Sequence, residues 1–585
     1  MRMMKVNLLI FLFAILFSHA SAQNEVVTLL KNDNELIPIQ GLGKRTIAVV
    51  SLGANADNCF QSTMALYNAF DFYHAETLAA LASQLKPYTT VICSIHSEKI
   101  DDYTALQSLA KQTELHLCFF LSPQQVEKYK TSILSAKSVV LAYDNTDDAQ
   151  KAAAEVIMGG IAAKGKLPVS IRGLFEKGIG LSTKKVRLSY QHPQEVGMSE
   201  KILNKIAGIV QEGLDKKAFP GCQVLVAKNG VVVYNHSFGF FDYDGTHAVQ
   251  PSDLYDLASV TKATATLSAV MKLYDDGKLH LQDSISRYVP LLKNTDKKGI
   301  TIQNALFHES GLEPFLPLHL ALIDSAGNLR IDRVSFVPKV GMSKQVADDF
   351  YLADDFDQTI LQLIAGSKLK PTNRYLYSDL NFMLLKEVVE NISGQSLDVF
   401  ADQIFFTPLG ASSTVFLPRK TFQKAMIAPT ENDTFLRKQV ITGYPHDDSA
   451  AFMGGVSGNA GLFSNANDLA KLLQTYLNRG EYGGERYFSE STAKLFTQTK
   501  SPHSRRGLGF DKPDKKHETG ATSEKASSAT YGHTGFTGTC FWIDPEQQLI
   551  YIFLSNRVYP SRTHTQLMNL NIRPRIHEVI YQSIH

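Results

Sequence analysis

LASVTKATATLSAVMKL, residues 257–273, is the stretch whose reading decides the fold. It sets Ser259 and Lys262 at the head of a long helical pattern, three residues apart and on one face, so that the lysine reaches the serine hydroxyl. Burial there favours the neutral amine, a base able to take the hydroxyl proton. The spacing alone decides nothing, because Ser-x-x-Lys occurs six times, at Ser83, Ser108, Ser182, Ser259, Ser367 and Ser491. The context of Ser259 separates it from the other five.

Upstream of that helix, Ser199 precedes an apolar stripe of Ile202, Ile206, Ile209, Val210 and Leu214, which predicts a helix ended by Pro220-Gly221. CQVLVAKNGVVVYN (222–235) then reads as two strands joined at Asn229-Gly230, a strong hairpin signal. Downstream, NRYLYSDLNFMLLKEVVE (373–390) places Tyr377, Ser378 and Asp379 in a loop entering an amphipathic helix. YGHTGFTGTCFWIDPEQQLIYIFLSN (531–556) is a strand, a turn and a second strand, with His533, Thr534 and Gly535 in the first of them.

Taken in chain order, these elements resemble the penicillin-recognising serine hydrolases, class C β-lactamases above all. The resemblance implies Ser259 as nucleophile, Lys262 as its base and Tyr377 as a partner in proton transfer. Tyr377-Ser378-Asp379 looks like the family's Tyr-x-Asn element, with Asp379 where Asn is usual and with a substrate amide as its expected partner. His533-Thr534-Gly535 resembles the Lys-Thr-Gly edge strand, with His for Lys. It implies backbone pairing with an extended acyl group and an oxyanion hole made by the amides of Ser259 and Phe536.

IQNALFHESGL (302–312), GGVSGNAGLFSNANDLAKLL (454–473) and LSNRVYPS (554–561) extend the resemblance over 197–585. The last two, with YPHDDSAAF (444–452), look most like β-lactamase-fold N-acetylmuramoyl-L-alanine amidases, although relatives carry His where Asn459 stands. The substrate so implied is a muramyl peptide, followed by a β-lactam or simple ester and then a D-Ala-D-Ala peptide. A module that binds without turnover is the reading from another class. His446-Asp447 is expected as a solvated loop pair, and residues 313–358 as an insertion near the cleft mouth.

The N-terminal part has a different rhythm. Runs at 46–52, 90–95, 115–121 and 138–143 alternate with helical stretches at 75–85 and 147–158, which predicts an open sheet of parallel strands. TLLKNDNELIPI (28–39) and GKLPVSI (165–171) resemble the C-terminal α/β sandwich domain of glycoside hydrolase family 3. That family's nucleophilic Asp sits on a preceding barrel, which is not expected here, so the resemblance implies a scaffold or a surface for a glycosidase partner.

Residues 1–22 pair Arg2 and Lys5 with a short apolar run and Ala20-Ser21-Ala22, the pattern of a cleaved signal peptide, and imply export to the periplasm. The expected organisation is therefore a signal peptide (1–22), an α/β domain (23–186), a linker (187–196) and an α+β serine hydrolase domain (197–585). With 59 Lys and Arg against 57 Asp and Glu, nothing points to nucleic acid or to a membrane surface beyond export. Five scattered cysteines make no disulfide scaffold, and no Cys/His cluster or His-Glu-x-x-His helix implies a metal. Acyl transfer without a cofactor is the expected chemistry.

Overall fold

The computed structural model describes residues 27–514 and 521–585; the expected signal peptide lies outside them. The chain forms two compact units that part between Tyr190 and Gln191, the first also including Thr407–Gly410 and Tyr482–Glu485.

The first unit is built on strands β1 (Thr28–Asn32), β2 (Ile47–Leu52), β3 (Asp71–Ala75), β4 (Thr90–Ile95), β5 (Glu114–Phe119) and β6 (Ser138–Leu141). Their order is β1-β6-β5-β4-β2-β3. Strands β3, β2, β4, β5 and β6 are parallel, in keeping with near-continuous apolar runs that both faces of such a sheet bury. The expected all-parallel sheet needs one correction: β1 runs antiparallel on the edge, with Thr28 opposite Leu141. The expected helix at 75–85 is also corrected. Ala75 ends β3, whose Phe72 and Tyr73 pair with Val49 and Val50 of β2, and only a short turn at Leu78–Leu81 follows. Pairing of Ala75 with Leu52 of β2 takes the first residue of that stretch into the sheet. The helix Asp147–Met158 forms as read, capped by Thr146 and closed by Gly159 at φ +78°. Cys93 and Cys118 are buried thiols on adjacent strands.

The second unit carries an antiparallel sheet of β7 (Gly221–Lys228), β8 (Val231–Gly239), β9 (Tyr531–Thr534), β10 (Cys540–Asp544) and β11 (Leu549–Ser555). They lie in the order β9-β10-β11-β7-β8, with β9 at an edge as the sequence predicts. Asn229 and Gly230, both at positive φ (53° and 72°), make the tight turn of the β7–β8 hairpin. Helices Lys205–Asp215 and Ile572–Gln582 seal the sheet through Ile206, Val210, Ile576 and Ile580, packed on Val224, Val226, Trp542 and Phe553. A second layer holds the helix that follows Ser259 together with the helix Leu380–Ser393. The insertion folds into a small sheet of Val334–Ser335, Lys344–Ala347 and Phe350–Leu352.

Trp542 is the sole tryptophan of the chain and is buried in this core, so its fluorescence reports the second unit alone. Phe553 packs edge-on against Phe219 at 5.5 Å. Phe553→Ala is expected to destabilise that unit by about 3–5 kcal/mol, read as a lower denaturant midpoint of the Trp542 signal.

Candidate active site

The turn that presents Ser259 is held from two sides. Asp256 accepts the Ala258 N–H at 2.8 Å and the His446 N–H at 2.7 Å through its two carboxylate oxygens. The hydroxyls of Thr537 and Thr539 donate to the carbonyls of Asp256 and Leu257 at 2.8 and 2.9 Å. These bonds hold Ala258 at φ +45°, a left-handed conformation that costs an alanine of order 1 kcal/mol and persists only where its surroundings fix it. Gly535 is required by the same junction, since a Cβ there would lie 2.5 Å from the Leu257 carbonyl. Ser259 and Phe536 both line the cleft. Among the described residues, neither of their amides donates a hydrogen bond. Unengaged N–H groups lining the cleft are what an oxyanion hole draws on.

The helix after Ser259 begins with a π-turn at Lys262–Thr266, an irregularity that frequently marks functional positions and that the pattern of residues did not predict. Lys262 is fully buried. Its Nζ donates to Ser259 Oγ at 2.9 Å, to Asp379 Oδ1 at 2.7 Å and to the Asn459 carbonyl at 2.9 Å, which uses all three ammonium hydrogens. The expectation of a neutral amine is therefore corrected. Burial does pull the Lys262 pKa down, but the Asp379 carboxylate, aided by Tyr377, outweighs it and holds the group above the ordinary lysine value. Asp379 in turn is pushed up by burial and by Asp447, against the pull of Lys262. The resting state is an ion pair. Asp379, expected to meet a substrate amide, spends one carboxylate oxygen on the lysine and still lines the cleft.

The Tyr377 ring lies 5.2 Å from Lys262 Nζ, 5.1 Å from the Arg506 guanidinium and stacked at 4.3 Å on His308. His308 Nδ1 accepts the Ser378 N–H at 3.1 Å. Burial, and then the charges of Arg506 and Lys262, keep this imidazole well below its usual pKa and hence neutral. His533 is treated alike: buried, with Nδ1 2.8 Å from the Thr534 carbonyl, it is pulled down to about 3 by burial first and then by Arg506 and Lys262. The residue standing where the family has Lys therefore carries no charge. Thr534 is only partly buried on edge strand β9. Arg506 restores a cation nearby. Its Nε and Nη2 reach the Tyr375 hydroxyl at 3.4 and 3.3 Å, and Asp511 lies 3.9 Å from Nη1.

The cleft has a volume of about 480 Å³. His446 and Asp447, expected as a solvated pair, are instead part of its wall. Asp447 accepts the Ala450 N–H at 2.8 Å and the Asn459 side-chain amide at 3.0 Å. Asn459 thus serves as a brace whose carbonyl faces Lys262. His446 lies 3.0 Å from Glu431. Burial pushes the Glu431 carboxyl up, but His446 and Arg562 outweigh it and hold it at about 2. Of the other Ser-x-x-Lys serines, Ser83, Ser108, Ser182 and Ser491 are exposed. Sequence reasoning missed Asp256, His308 and Arg506. Asp256 stands three residues before Ser259, and Arg506 opens the stretch RGLGF.

This is the architecture of a serine hydrolase of the β-lactamase fold. The β-lactamase family profile matches residues 206–570, and the chain belongs to that family. A protein of Escherichia coli strain K12, named there as a candidate D-alanyl-D-alanine carboxypeptidase, is 35% identical over 396 residues, 63% of this chain and 86% of that one. A Salmonella typhimurium protein of the same description is 30% identical over 418 residues, 66% of this chain and 89% of its own. Among solved structures, EstCE1, a hydrolase with promiscuous acyltransferase activity, is 23% identical with a TM-score of 0.48, covering 64% of this chain and 99% of its own. A class C β-lactamase is 17% identical with a TM-score of 0.47, covering 66% and 97%.

Asp256→Asn leaves one of the two amides facing an NH₂ group instead of an acceptor. The Ser259 turn is then expected to relax, with kcat falling at least about tenfold while KM changes little. Steady-state kinetics on any turned-over ester reads the split.

Proposed function

We propose that this chain is an exported hydrolase of peptidoglycan-derived peptides, with Ser259 as nucleophile of an acyl-enzyme, and that it releases a terminal D-alanine. The observation that carries the reading is Ser259 Oγ at 2.9 Å from a buried lysine, itself paired with Asp379, beside two unengaged amides. The proton of Lys262 moves to Asp379, the freed amine takes the proton of Ser259, and Oγ bonds to the scissile carbonyl carbon. The oxyanion rests on the amides of Ser259 and Phe536. Lys262 and the Tyr377 hydroxyl return a proton to the departing amine, and water then attacks the ester by the reverse route. Support for a terminal residue comes from the names of the relatives and from Arg506, a buried cation beside Tyr377 and His533 suited to a carboxylate. Residues 1–22 support export.

A second reading, cleavage of the whole stem peptide from muramic acid, is favoured by one observation. The segment 444–452, whose sequence resembles the amidases, supplies His446, Asp447, Asp448, Ser449 and Phe452 to the cleft wall. Mass spectrometry of a muropeptide digest, beside the Ser259→Ala variant, separates the two. Loss of one D-alanine supports the first, loss of the stem supports the second, and no change beyond one acyl equivalent removes both in favour of a binding module.

The ion pair also sets the pH dependence. Asp379 must be ionised to receive the proton, and burial raises its pKa, so kcat/KM is expected to fall on acidification at a higher pH than an ordinary aspartate would give. In Asp379→Asn the limb set by Asp379 is replaced by one set by deprotonation of Lys262. The variant is expected to be about tenfold slower at pH 7, and to recover as pH rises, because Lys262 is then governed by burial and loses its proton more readily. An unchanged pH profile would reduce Asp379 to a packing role.

A further inference from the structure

The insertion is bolted to the catalytic loop. The Ser378 hydroxyl donates to the Glu313 carbonyl at 2.5 Å, and the Asp379 amide donates to the Pro314 carbonyl at 3.0 Å. The next five residues, Phe315 to His319, line the cleft that holds Ser259. Leu318 and Leu322 anchor this stretch in the interior, whereas Phe315 is left 73% exposed. The same cleft is lined by Phe435, 59% exposed and set edge-on to His319 at 5.1 Å, and by Phe536, 51% exposed. Phe315 and Phe435, left to water in the cleft of Ser259, are a hydrophobic loss unless a ligand covers them, whereas Phe536 is stacked on His446 at 5.4 Å and lies 4.4 Å from the Arg557 guanidinium.

Part of the polar wall of the same cleft is already engaged. Arg562 makes paired bonds to Glu431 at 2.8 Å and reaches Asp448 at 3.1 Å, and Asp447 accepts from Ala450 and Asn459. The exposed rings are the part of the wall suited to a phenyl or branched alkyl group. We propose that Phe315 and Phe435, with Phe536, form a specificity subsite that takes an apolar aryl or branched-alkyl substituent of the group bonded to Ser259. The proposal rests on Ser259 being the nucleophile but not on the bond cleaved in peptidoglycan.

Boronic acids test it directly, because Ser259 Oγ adds to boron and gives up its proton, so that the single carbon substituent is the only group available to the subsite. Calorimetric dissociation constants for benzylboronic and methylboronic acid are compared on the full chain. In the wild type the benzyl compound is expected to bind at least about tenfold more tightly, equivalent to about 1.4 kcal/mol. In Phe315→Ala/Phe435→Ala the ratio falls to about threefold or less, while methylboronic acid binds within about twofold of wild type. Both rings are surface-exposed, and the methyl compound reports that the double variant keeps its site. Equal affinities in the wild type, or an undiminished ratio in the double variant, would overturn the subsite. Absence of adduct formation by either compound, with Ser259→Ala as reference, would overturn Ser259 as nucleophile and the subsite with it. Failure on muropeptides with the boronate ratio intact would leave the subsite standing and remove only the cell-wall substrate.

Discussion

A fully buried ammonium organises the second unit. An unpaired charge in that position would cost several kcal/mol or lose its proton, and Lys262 does neither because three acceptors converge on it. They come from three separate parts of the chain: the Ser259 turn, the loop carrying Tyr377 and Asp379, and the glycine-rich segment around Asn459. Each is braced in turn, by Asp256 with the threonines of the 535–539 turn, by Glu313 and Pro314, and by Asp447. Of the three acceptors, Asp379 is the one whose charge keeps the proton on the lysine, while Ser259 and Asn459 complete its hydrogen bonds.

That coupling changes the chemistry expected of the site. A lysine already protonated and saturated with acceptors cannot receive the serine proton, so its own proton must leave first. Asp379 is the nearest acceptor, and burial makes it a better one than a solvated carboxylate. Transfer within the pair converts two opposite charges into two neutral groups without moving any heavy atom, a small rearrangement in a site where burial penalises charge. An asparagine at position 379 could not take part, which gives physical content to the one departure from Tyr-x-Asn. Burial first, and then the same field, accounts for the neutral histidines. His308 and His533 lie near two cations, Lys262 and Arg506, and a third positive charge there would be repelled.

Much of this was legible in the sequence, and the part that was not has identifiable causes. The hairpin at Asn229-Gly230 and the helix at 147–158 follow from local turn chemistry and periodicity, and both form where expected. The order of the three site elements follows from motif context. The antiparallel edge strand β1 and the strand at 71–75 depend on which neighbour each finds, and a local pattern does not carry that. The protonation state of Lys262 was misread because burial alone was weighed. The partner that reverses its effect lies 117 residues away, and proximity in the fold is invisible to spacing. Asp256 was missed for the same reason, since its role as a turn holder needs the amide of His446.

Chemistry and selectivity are borne by different segments that share one loop. The groups proposed to move protons stand on the helix after Ser259 and on the Tyr377–Asp379 loop, whereas the exposed rings of the same cleft stand on the insertion and at Phe435. Hydrogen bonds from the insertion to the 377–379 loop run through the main-chain carbonyls of Glu313 and Pro314. Side chains on it can therefore change without disturbing the bonds that hold Asp379. A substitution at 315 alters what the cleft accepts, while the proton path through Lys262 keeps its geometry. A surface segment can in this way set selectivity while a rigid scaffold holds the chemistry.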